Sequence, residues 1–302
     1  MSDDPSHNSP AGRHAYCIIA HDRPQALARL VDLIDDSRND IFIMIDARTP
    51  ITPFLRLVSA ASSRLEFLEN RVGIRWGGFS QIEATLRLFE RACKGDYSRI
   101  HLLSGSDLPI KTQDYIHRYC DEKFPHSQFV GISPEAGEAA DIEMKTRFYY
   151  LWPRFARRKT LCGPLAVAGH WLLRATLRLQ RLAGVRRTYP MHILKGDNWV
   201  SLTRDCCEYI ISRRGLIKRM FRYVLCPDEM FIQTLVAESP FRDSLHPAGS
   251  LREIDWERGE PYVWRMADVP QLEASECLFA RKFSDDVDAA VIGRVCSHLA
   301  GV

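Results

Sequence analysis

The sequence lacks the patterns by which several common classes of protein are recognised. In its 302 residues no run of about 18 apolar residues occurs, so no segment is predicted to cross a membrane as a helix. The nine cysteines are odd in number and include no C-x-x-C pair, which disfavours a zinc-binding pattern and a disulfide framework. Neither G-x-G-x-x-G nor G-x-x-x-x-G-K-[ST] is present, so the usual dinucleotide-binding fold and a P-loop are both disfavoured. We therefore expect reduced thiols and a cytoplasmic location.

Composition and charge describe a folded protein with no general affinity for polyanions. Hydrophobic residues make up 46% of the chain, which is ample for a core, and the net charge is only +3. A nucleic-acid partner is not expected, because such proteins carry a basic face across the domain. Residues 1–13 are polar and lack the apolar core of a signal peptide, so they are predicted to form a disordered tail. The remainder, 14–302, is predicted to form a single domain.

Apolar runs alternate with segments of helical periodicity along the chain. Four runs are predicted to be strands: 15–20, 41–45, 100–103 and 129–132. Strands that are apolar throughout are typical of a parallel-rich sheet covered by helices on both faces. The predicted class is therefore α/β, with a Rossmann-like mixed sheet flanked by helices.

Polar side chains follow three of these strands. His21 and Asp46 end the first two, and Asp107 lies just beyond the third. Because ligands of such sheets bind beyond the carboxyl ends of the strands, we expect these residues to surround one cleft. Asp46 is a candidate for binding a ribose or a base, because its carboxylate can accept hydrogen bonds from either group. For Asp107, which precedes Leu108 and Pro109, a turn or cap role is an equal alternative.

Two further motifs predict a base and a phosphate clamp. Asp228 and Glu229 follow Pro227 at the predicted start of a helix, and two adjacent cations, Arg281 and Lys282, lie within an apolar frame. The alternative for the acids is structural, because carboxylates in a first turn also stabilise the helix dipole.

Seven short blocks along the chain occur in a characteristic order. They are 14–21 (HAYCIIAH), 76–80 (WGGFS), 103–111 (LSGSDLPIK), 195–199 (KGDNW), 227–229 (PDE), 251–256 (LREIDW) and 279–283 (FARKF). In this order they resemble the core-2/I-branching glycosyltransferases, which include β-1,6-N-acetylglucosaminyltransferases and peptide O-xylosyltransferases. The resemblance covers roughly residues 14–298. It implies a GT-A-like catalytic domain, a UDP-sugar donor and inversion at the anomeric carbon without a metal ion.

The resemblance also assigns roles to residues. It makes Glu229 the catalytic base and Trp256 the platform beneath the acceptor sugar, with core packing as the alternative for Trp256. Lys145 and Arg147 resemble an acceptor-holding segment. The residues implied on the donor side are Arg281, Lys282, Asp46, Trp76, His21 and Asp107. Asp228 is expected to cap or support the helix that presents Glu229.

No metal and no cofactor are expected. Most GT-A enzymes hold a divalent cation with Asp-x-Asp, and here the only such triplet is Asp286-Val287-Asp288. It lies near the start of the last predicted helix, where a capping role is expected. Basic side chains at Arg281 and Lys282 would instead neutralise the departing diphosphate.

The chain departs from the animal members of that family. Their membrane anchor, stem and disulfides are not visible here, so the chain looks like a bacterial-type member. Its acceptor is then expected to be a hydroxyl of a glycan or glycolipid in envelope polysaccharide or lipopolysaccharide assembly.

One segment, 154–187, is strongly basic. It holds nine cations and no acids, interleaved with leucines and Trp171. Two interpretations remain open: peripheral contact with the anionic inner membrane, or a solvated helical hairpin beside the acceptor cleft. A catalytically silent membrane- or polyanion-binding protein on the same scaffold is the alternative function.

Overall fold

A computed structural model describes residues 12–156, 163–259 and 261–300 of the chain. Residues 1–11 of the predicted tail and part of the basic segment, 157–162, lie outside the described residues. The strands are β1 (His14–Ala20), β2 (Asn39–Ile45), β3 (Arg64–Phe67), β4 (Arg99–Ser104), β5 (Asp107–Pro109), β6 (Ser201–Leu202), β7 (Arg252–Ile254) and β8 (Phe279–Arg281). The helices are α1 (Pro24–Ile34), α2 (Thr52–Leu57), α3 (Ser80–Ala92), α4 (Gln113–His117), α5 (Glu135–Thr146), α6 (Pro164–Leu182), α7 (Arg204–Ser212), α8 (Arg214–Phe221), α9 (Phe231–Ala237), α10 (Val269–Ala274) and α11 (Asp285–Leu299).

The main sheet has five strands in the order β3-β2-β1-β4-β6. The first four are parallel, and only β6 is antiparallel to its neighbour β4. The predicted parallel-rich mixed sheet is therefore confirmed, and three of the four predicted strands coincide with β1, β2 and β4.

Helices cover both faces of this sheet, which is why its central strands are apolar throughout. On one face α1 buries Leu27, Leu30, Val31 and Ile34. On the other face α3 packs together with α7 and α9. Burial on both sides is the usual arrangement for parallel strands.

A second sheet of three strands, in the order β5-β8-β7, lies beyond the carboxyl end of β4. In its antiparallel pairing Asp107 of β5 is the partner of Arg281 of β8. This register brings together two residues that are 174 positions apart in the chain.

The fourth predicted strand, 129–132, is wrong. Phe129 forms only an isolated bridge with Ser201, and Gln128 forms another with Leu245. The pairing stops because β6 is two residues long and Thr203 then caps α7 by accepting a hydrogen bond from the Cys206 amide.

The predicted helix start at Pro227 also needs correction. Pro227–Glu229 is a separate 3₁₀ turn, and α9 begins only at Phe231. Met230 lies between them with φ −132°, outside the helical range, so Glu229 precedes the helix instead of occupying its first turn.

The described part of the basic segment contains one long helix, α6, and the alternative of a helical hairpin stays a prediction because 157–162 lie outside the described residues. A short 3₁₀ turn, Pro153–Phe155, precedes it and contacts it. Among the described residues, no helix combines the length and the hydropathy needed to span a bilayer.

Candidate active site

The carboxyl ends of β1, β2 and β4 meet at one edge of the sheet, as predicted. The amide of Asp46 donates to the carbonyl of Ala20 over 2.9 Å, and the amide of Gly105 donates to Ile19 over 3.0 Å. The hydroxyl of Thr49 donates to the carbonyl of His21, whose own side chain is exposed. Backbone hydrogen bonds therefore join the polar ends of the three strands into one rim.

Asp46 is buried at this rim and already has partners. Its Oδ1 accepts from the Arg48 amide at 2.9 Å and the Ile74 amide at 3.2 Å, and its Oδ2 accepts from Arg48 Nη2 at 2.6 Å. Burial alone would raise the pKa of Asp46, but these hydrogen bonds outweigh it and lower the pKa. Asp46 therefore positions Arg48, whose side chain is largely exposed at the rim.

Asp107 and Arg281 form a buried ion pair. Arg281 Nη1 lies 2.7 Å from Asp107 Oδ1 and 2.5 Å from Ser104 Oγ, and its guanidinium stacks 4.6 Å over the ring of Trp199. Every side-chain hydrogen bond that Arg281 makes within the described residues involves Nη1. The Nε and Nη2 donors are therefore available for a phosphate group.

Lys282 is fixed through its backbone. Its amide donates to the carbonyl of Tyr262 over 3.4 Å, and its carbonyl accepts from the amide of Trp264 over 3.0 Å. Trp264 is fully buried, so it anchors this stretch. The lysine is half-buried next to Arg281.

The loop that carries Trp76 is joined to the Pro227 motif. The amide of Cys226 donates to the carbonyl of Gly77 over 3.0 Å. Gly77 has φ +69°, and a Cβ there would lie 3.2 Å from the Leu225 side chain, so glycine suits the position. This contact holds the loop of Trp76, whose ring is partly exposed, against the residue that precedes Pro227.

Glu229 has one fixed oxygen and one open oxygen. Its Oε2 accepts from Lys145 Nζ over 2.9 Å, and the same ammonium lies 2.8 Å from Asp141 Oδ2. Burial alone would lower the pKa of Lys145, but the two carboxylates outweigh it and raise the pKa. Oε1 of Glu229 takes no hydrogen bond from any residue that the structure describes.

The backbone of Glu229 is held by a close glycine contact. The amide of Gly196 donates to the carbonyl of Glu229 over 2.8 Å. A Cβ at Gly196 would lie 1.8 Å from the carbonyl oxygen of Gly131, so no other residue fits there without displacing backbone.

Asp197 connects the contact between Gly196 and Glu229 to Trp256, the predicted platform for the acceptor sugar. Its Oδ2 accepts from Ser250 Oγ over 2.9 Å. Burial raises the pKa of Asp197, while hydrogen bonds from Ser250 and Trp256 and the charge of Arg281 partly offset that rise. Trp256 itself is largely exposed, so core packing does not account for it. The structure thus brings Trp256, Arg281 and the backbone of Glu229 together around 196–199.

Asp228 does not act as a cap. Its side chain is buried, and among the described residues its Oδ1 has no hydrogen-bond partner and α9 has no side-chain cap. Burial raises the pKa of Asp228 to about 7, and the neighbouring charge of Glu229 contributes to the rise. The expected capping role is therefore wrong, because the 3₁₀ turn directs Asp228 into the core.

Lys145 lies in the last turn of α5, and Arg147 follows the end of that helix. Lys145 faces Glu229, so its ammonium positions the carboxylate and is not free for an acceptor. Arg147 pairs with Glu143 at 3.1 Å and lines a groove between α5 and α6. The assignment of both residues to the acceptor stays a prediction, and of the two only Arg147 lines the groove.

Two groups of potential metal ligands need comment. Asp288 accepts hydrogen bonds from the amides of Met266, Ala290 and Val291, so it has the structural role expected for it. At the opposite end of the sheet, ligand atoms of His14, His117 and Asp121 lie within 4.8 Å of one another. The two imidazoles are stacked with centroids 3.8 Å apart, and each turns a ring nitrogen to Asp121, His14 Nε2 at 3.2 Å and His117 Nδ1 at 3.5 Å.

Sequence reasoning missed several residues of the site. Asp141 and Lys195, which are 2.8 Å apart, belong to the charge network behind Glu229, and Trp199 supports Arg281. The i, i+4 spacing of Asp141 and Lys145 was a usable signal. Asp197 and Trp199 lie within the block 195–199, but the sequence pattern indicated no role for either residue.

Comparison with known proteins identifies the family. Residues 14–274 match the model of the core-2/I-branching enzyme family. Xylosyltransferase 1 of Rattus norvegicus is 23% identical over 320 residues, covering 96% of this chain and 36% of the relative. Xylosyltransferase sqv-6 of Caenorhabditis briggsae is 31% identical over 133 residues, covering 35% of this chain and 17% of the relative.

The chain thus spans about a third of the length of the rat xylosyltransferase 1. A crystal structure of mouse xyloside xylosyltransferase 1 covers 89% of this chain and is itself covered to 96%, at 12% identity and a TM-score of 0.38. Because the family model covers most of the chain, the protein belongs to the core-2/I-branching enzyme family of glycosyltransferases.

Proposed function

We propose that the protein is an inverting glycosyltransferase that moves N-acetylglucosamine or xylose from a UDP-sugar to a hydroxyl of a glycan or glycolipid. The observation that carries the proposal is the segment 196–199. Its Gly196 binds the backbone of Glu229, and its Trp199 lies under Arg281. One short stretch of chain thus joins a partly open carboxylate to a cation, which are the two groups that sugar transfer needs.

In the proposed reaction Glu229 is the base. Its Oε1 accepts the proton of the acceptor hydroxyl while Lys145 holds Oε2. The acceptor oxygen forms a bond to the anomeric carbon as the bond from that carbon to the diphosphate breaks. UDP leaves with the electron pair, and Arg281 and Lys282 compensate its charge. A single displacement of this kind inverts the anomeric configuration.

The donor would lie along the rim of the sheet in a GT-A-like arrangement. Its uridine would approach His21, Asp46 and Trp76, with Arg48 as the group that Asp46 directs outward. Asp107 would act through Arg281, because their ion pair fixes the guanidinium. The two cations would take the place of a divalent metal, and no other cofactor is proposed.

The acceptor would lie on Trp256. Its indole is exposed and connects to the site through Asp197, and the C–H face of a sugar packs well on such a ring.

We further propose a bacterial-type protein of envelope polysaccharide or lipopolysaccharide assembly, located in the cytoplasm with peripheral membrane contact. The cytoplasmic location is supported by the cysteines: all eight within the described residues have free thiols, which fits a reducing compartment.

A donor screen tests the proposal. UDP-N-acetylglucosamine, UDP-xylose and UDP-glucose are compared for protection against thermal unfolding, because bound ligand stabilises by RT ln(1 + [L]/Kd). UDP release is then followed with a panel of glycan acceptors. Protection by one UDP-sugar together with acceptor-dependent UDP release supports transfer. Vesicle binding without protection by any nucleotide sugar would instead favour the catalytically silent alternative.

A further inference from the structure

Helix α6 has two apolar faces, and only one of them is buried. Leu173 is buried, and Leu177 packs beside it against the body of the protein. The opposite face exposes Leu165 (87%), Leu179 (64%) and Leu172 (51%), which are spaced seven residues apart and therefore lie in one line along the helix. Trp171 and Leu182 flank that line and are also exposed. This set of five residues is the outer apolar face.

The charge around the outer apolar face has one sign. No aspartate or glutamate occurs between residues 144 and 196. Arg174, Arg178 and Arg181 border the face on the same helix, and the Arg174 guanidinium lies 5.7 Å from the Trp171 ring. A second copy of this chain would bring cations against cations. An anionic lipid surface satisfies both features, because leucines and tryptophan enter the acyl boundary while arginines meet the headgroups.

The buried face of α6 packs directly on the segment that carries the catalytic carboxylate. Leu173 forms one apolar cluster with Tyr150, Leu225 and Cys226. Cys226 is three residues before Glu229. A helix with its side chains is about 10–12 Å thick. The outer apolar face is therefore separated from Glu229 by the thickness of α6 and by the short turn in which the Glu229 amide donates to the Cys226 carbonyl.

A groove lies between α5 and α6, next to the helix that carries Lys145. Its volume is about 720 Å³, and its lining combines the apolar side chains of Met144 and Leu177 with the guanidinium groups of Arg147 and Arg181. Glu143 also lines it and pairs with Arg147. Met144 is the neighbour in sequence of Lys145, which binds Glu229. The groove thus offers an apolar floor and two cations beside the site.

We infer that α6 lies in an anionic membrane surface and that the acceptor is a saccharide linked through phosphate to a membrane lipid, with its phosphate against Arg147 and Arg181. This inference rests on the proposed glycosyltransferase function, whose acceptor class it specifies. It explains why an exposed apolar face and an unbroken basic segment occur beside the catalytic carboxylate.

The first test is vesicle flotation. The full chain is mixed with vesicles of phosphatidylcholine alone or of phosphatidylcholine with phosphatidylglycerol. We expect binding to the anionic vesicles only, weakened by salt. The double substitution Leu172→Glu with Leu179→Glu should reduce binding by roughly 10-fold or more, because both side chains enter the lipid. Leu55→Glu on α2, an equally exposed leucine (54%), is the matched control and should leave binding unchanged.

The second test compares one saccharide as a soluble acceptor and as a long-chain lipid phosphate in anionic vesicles. The wild type should prefer the lipid-linked form by roughly 10-fold or more in kcat/KM, as expected when a surface concentrates enzyme and substrate together. The double variant should lose this preference but keep transfer to the soluble form.

Two outcomes would overturn the inference. Equal flotation of the wild type and the double variant would show that the outer apolar face does not bind the membrane. Vesicle binding without a preference for the lipid-linked acceptor would show that the acceptor is not a lipid-linked saccharide. Transfer to the soluble saccharide is measured separately, so failure of this inference is distinguishable from failure of the glycosyltransferase function.

Discussion

The amide of Gly196 donates to the carbonyl of Glu229 over 2.8 Å, at a point where a Cβ on Gly196 would lie 1.8 Å from the carbonyl oxygen of Gly131. The position of the proposed catalytic carboxylate thus depends on a backbone contact that only glycine permits. This relationship joins two residues that are more than thirty positions apart in the chain.

Gly196→Ala should therefore impair both stability and turnover. The added methyl group forces backbone apart, which costs about 1–3 kcal/mol or more, and the shift displaces Glu229. Urea unfolding and kcat with the preferred donor measure the two effects. Gly215→Ala on α8 is the control, because nothing lies within 4 Å of its Cβ. It should be neutral or slightly stabilising, since alanine favours a helix.

Lys145→Met should lower kcat by roughly 10²-fold with little change in donor affinity. The substitution keeps the apolar stem but removes the cation that fixes Glu229 Oε2, and small misplacements of a reacting group have effects of this size. Lys145→Arg should restore part of the activity. Lys195→Met is the control, because Lys195 pairs with Glu138 and Asp141 but not with Glu229. Equal losses in the two methionine variants would contradict a specific role for Lys145.

Asp228→Asn should change how stability depends on pH. Burial raises the pKa of Asp228 from 3.8 to about 7, so within this window the folded protein keeps a proton that the unfolded chain has lost. The free energy of unfolding therefore falls as the pH rises from about 4 to about 7. Asparagine cannot ionise, so the variant should lose this part of the pH dependence. Denaturant unfolding at several pH values tests it, and parallel curves for both proteins would contradict the buried, protonated state.

Transfer should persist in excess EDTA. Arg281 and Lys282 are proposed to neutralise the charge of the departing diphosphate, so we expect no requirement for a divalent cation. Lys282→Ala should raise the barrier by about 3–4 kcal/mol, as removal of a group that stabilises developing charge does. Arg281→Gln is a poorer probe, because it leaves the buried carboxylate of Asp107 without its partner. Loss of activity in EDTA with recovery in manganese would contradict the assignment.

The sheet was predictable from sequence where burial on both faces produced continuous apolar runs, as at Ile41–Ile45 within β2. The same criterion failed at Phe129, because an apolar run does not show whether a neighbouring strand is long enough to pair with it. The antiparallel partner there, β6, has only two residues.

The site was predictable in part. Residues that follow strands, such as His21 and Asp46, came together because parallel strands end at one edge. The pairing of Lys145 with Glu229 spans 84 positions and depends on how α5 packs over the 3₁₀ turn, which no local pattern encodes. The burial of Asp228 was missed for a related reason, because a helix was assumed to begin at Pro227.

The most direct test of the account is the turnover of Glu229→Gln. Glutamine keeps the size of the side chain and an oxygen that can accept from Lys145, but it cannot take the acceptor proton. We predict a loss of at least roughly 10²-fold in kcat, with UDP still protecting the variant against thermal unfolding. Near-normal turnover in Glu229→Gln, measured beside Asp228→Asn with the same donor and acceptor, would contradict the assignment of Glu229 as the base.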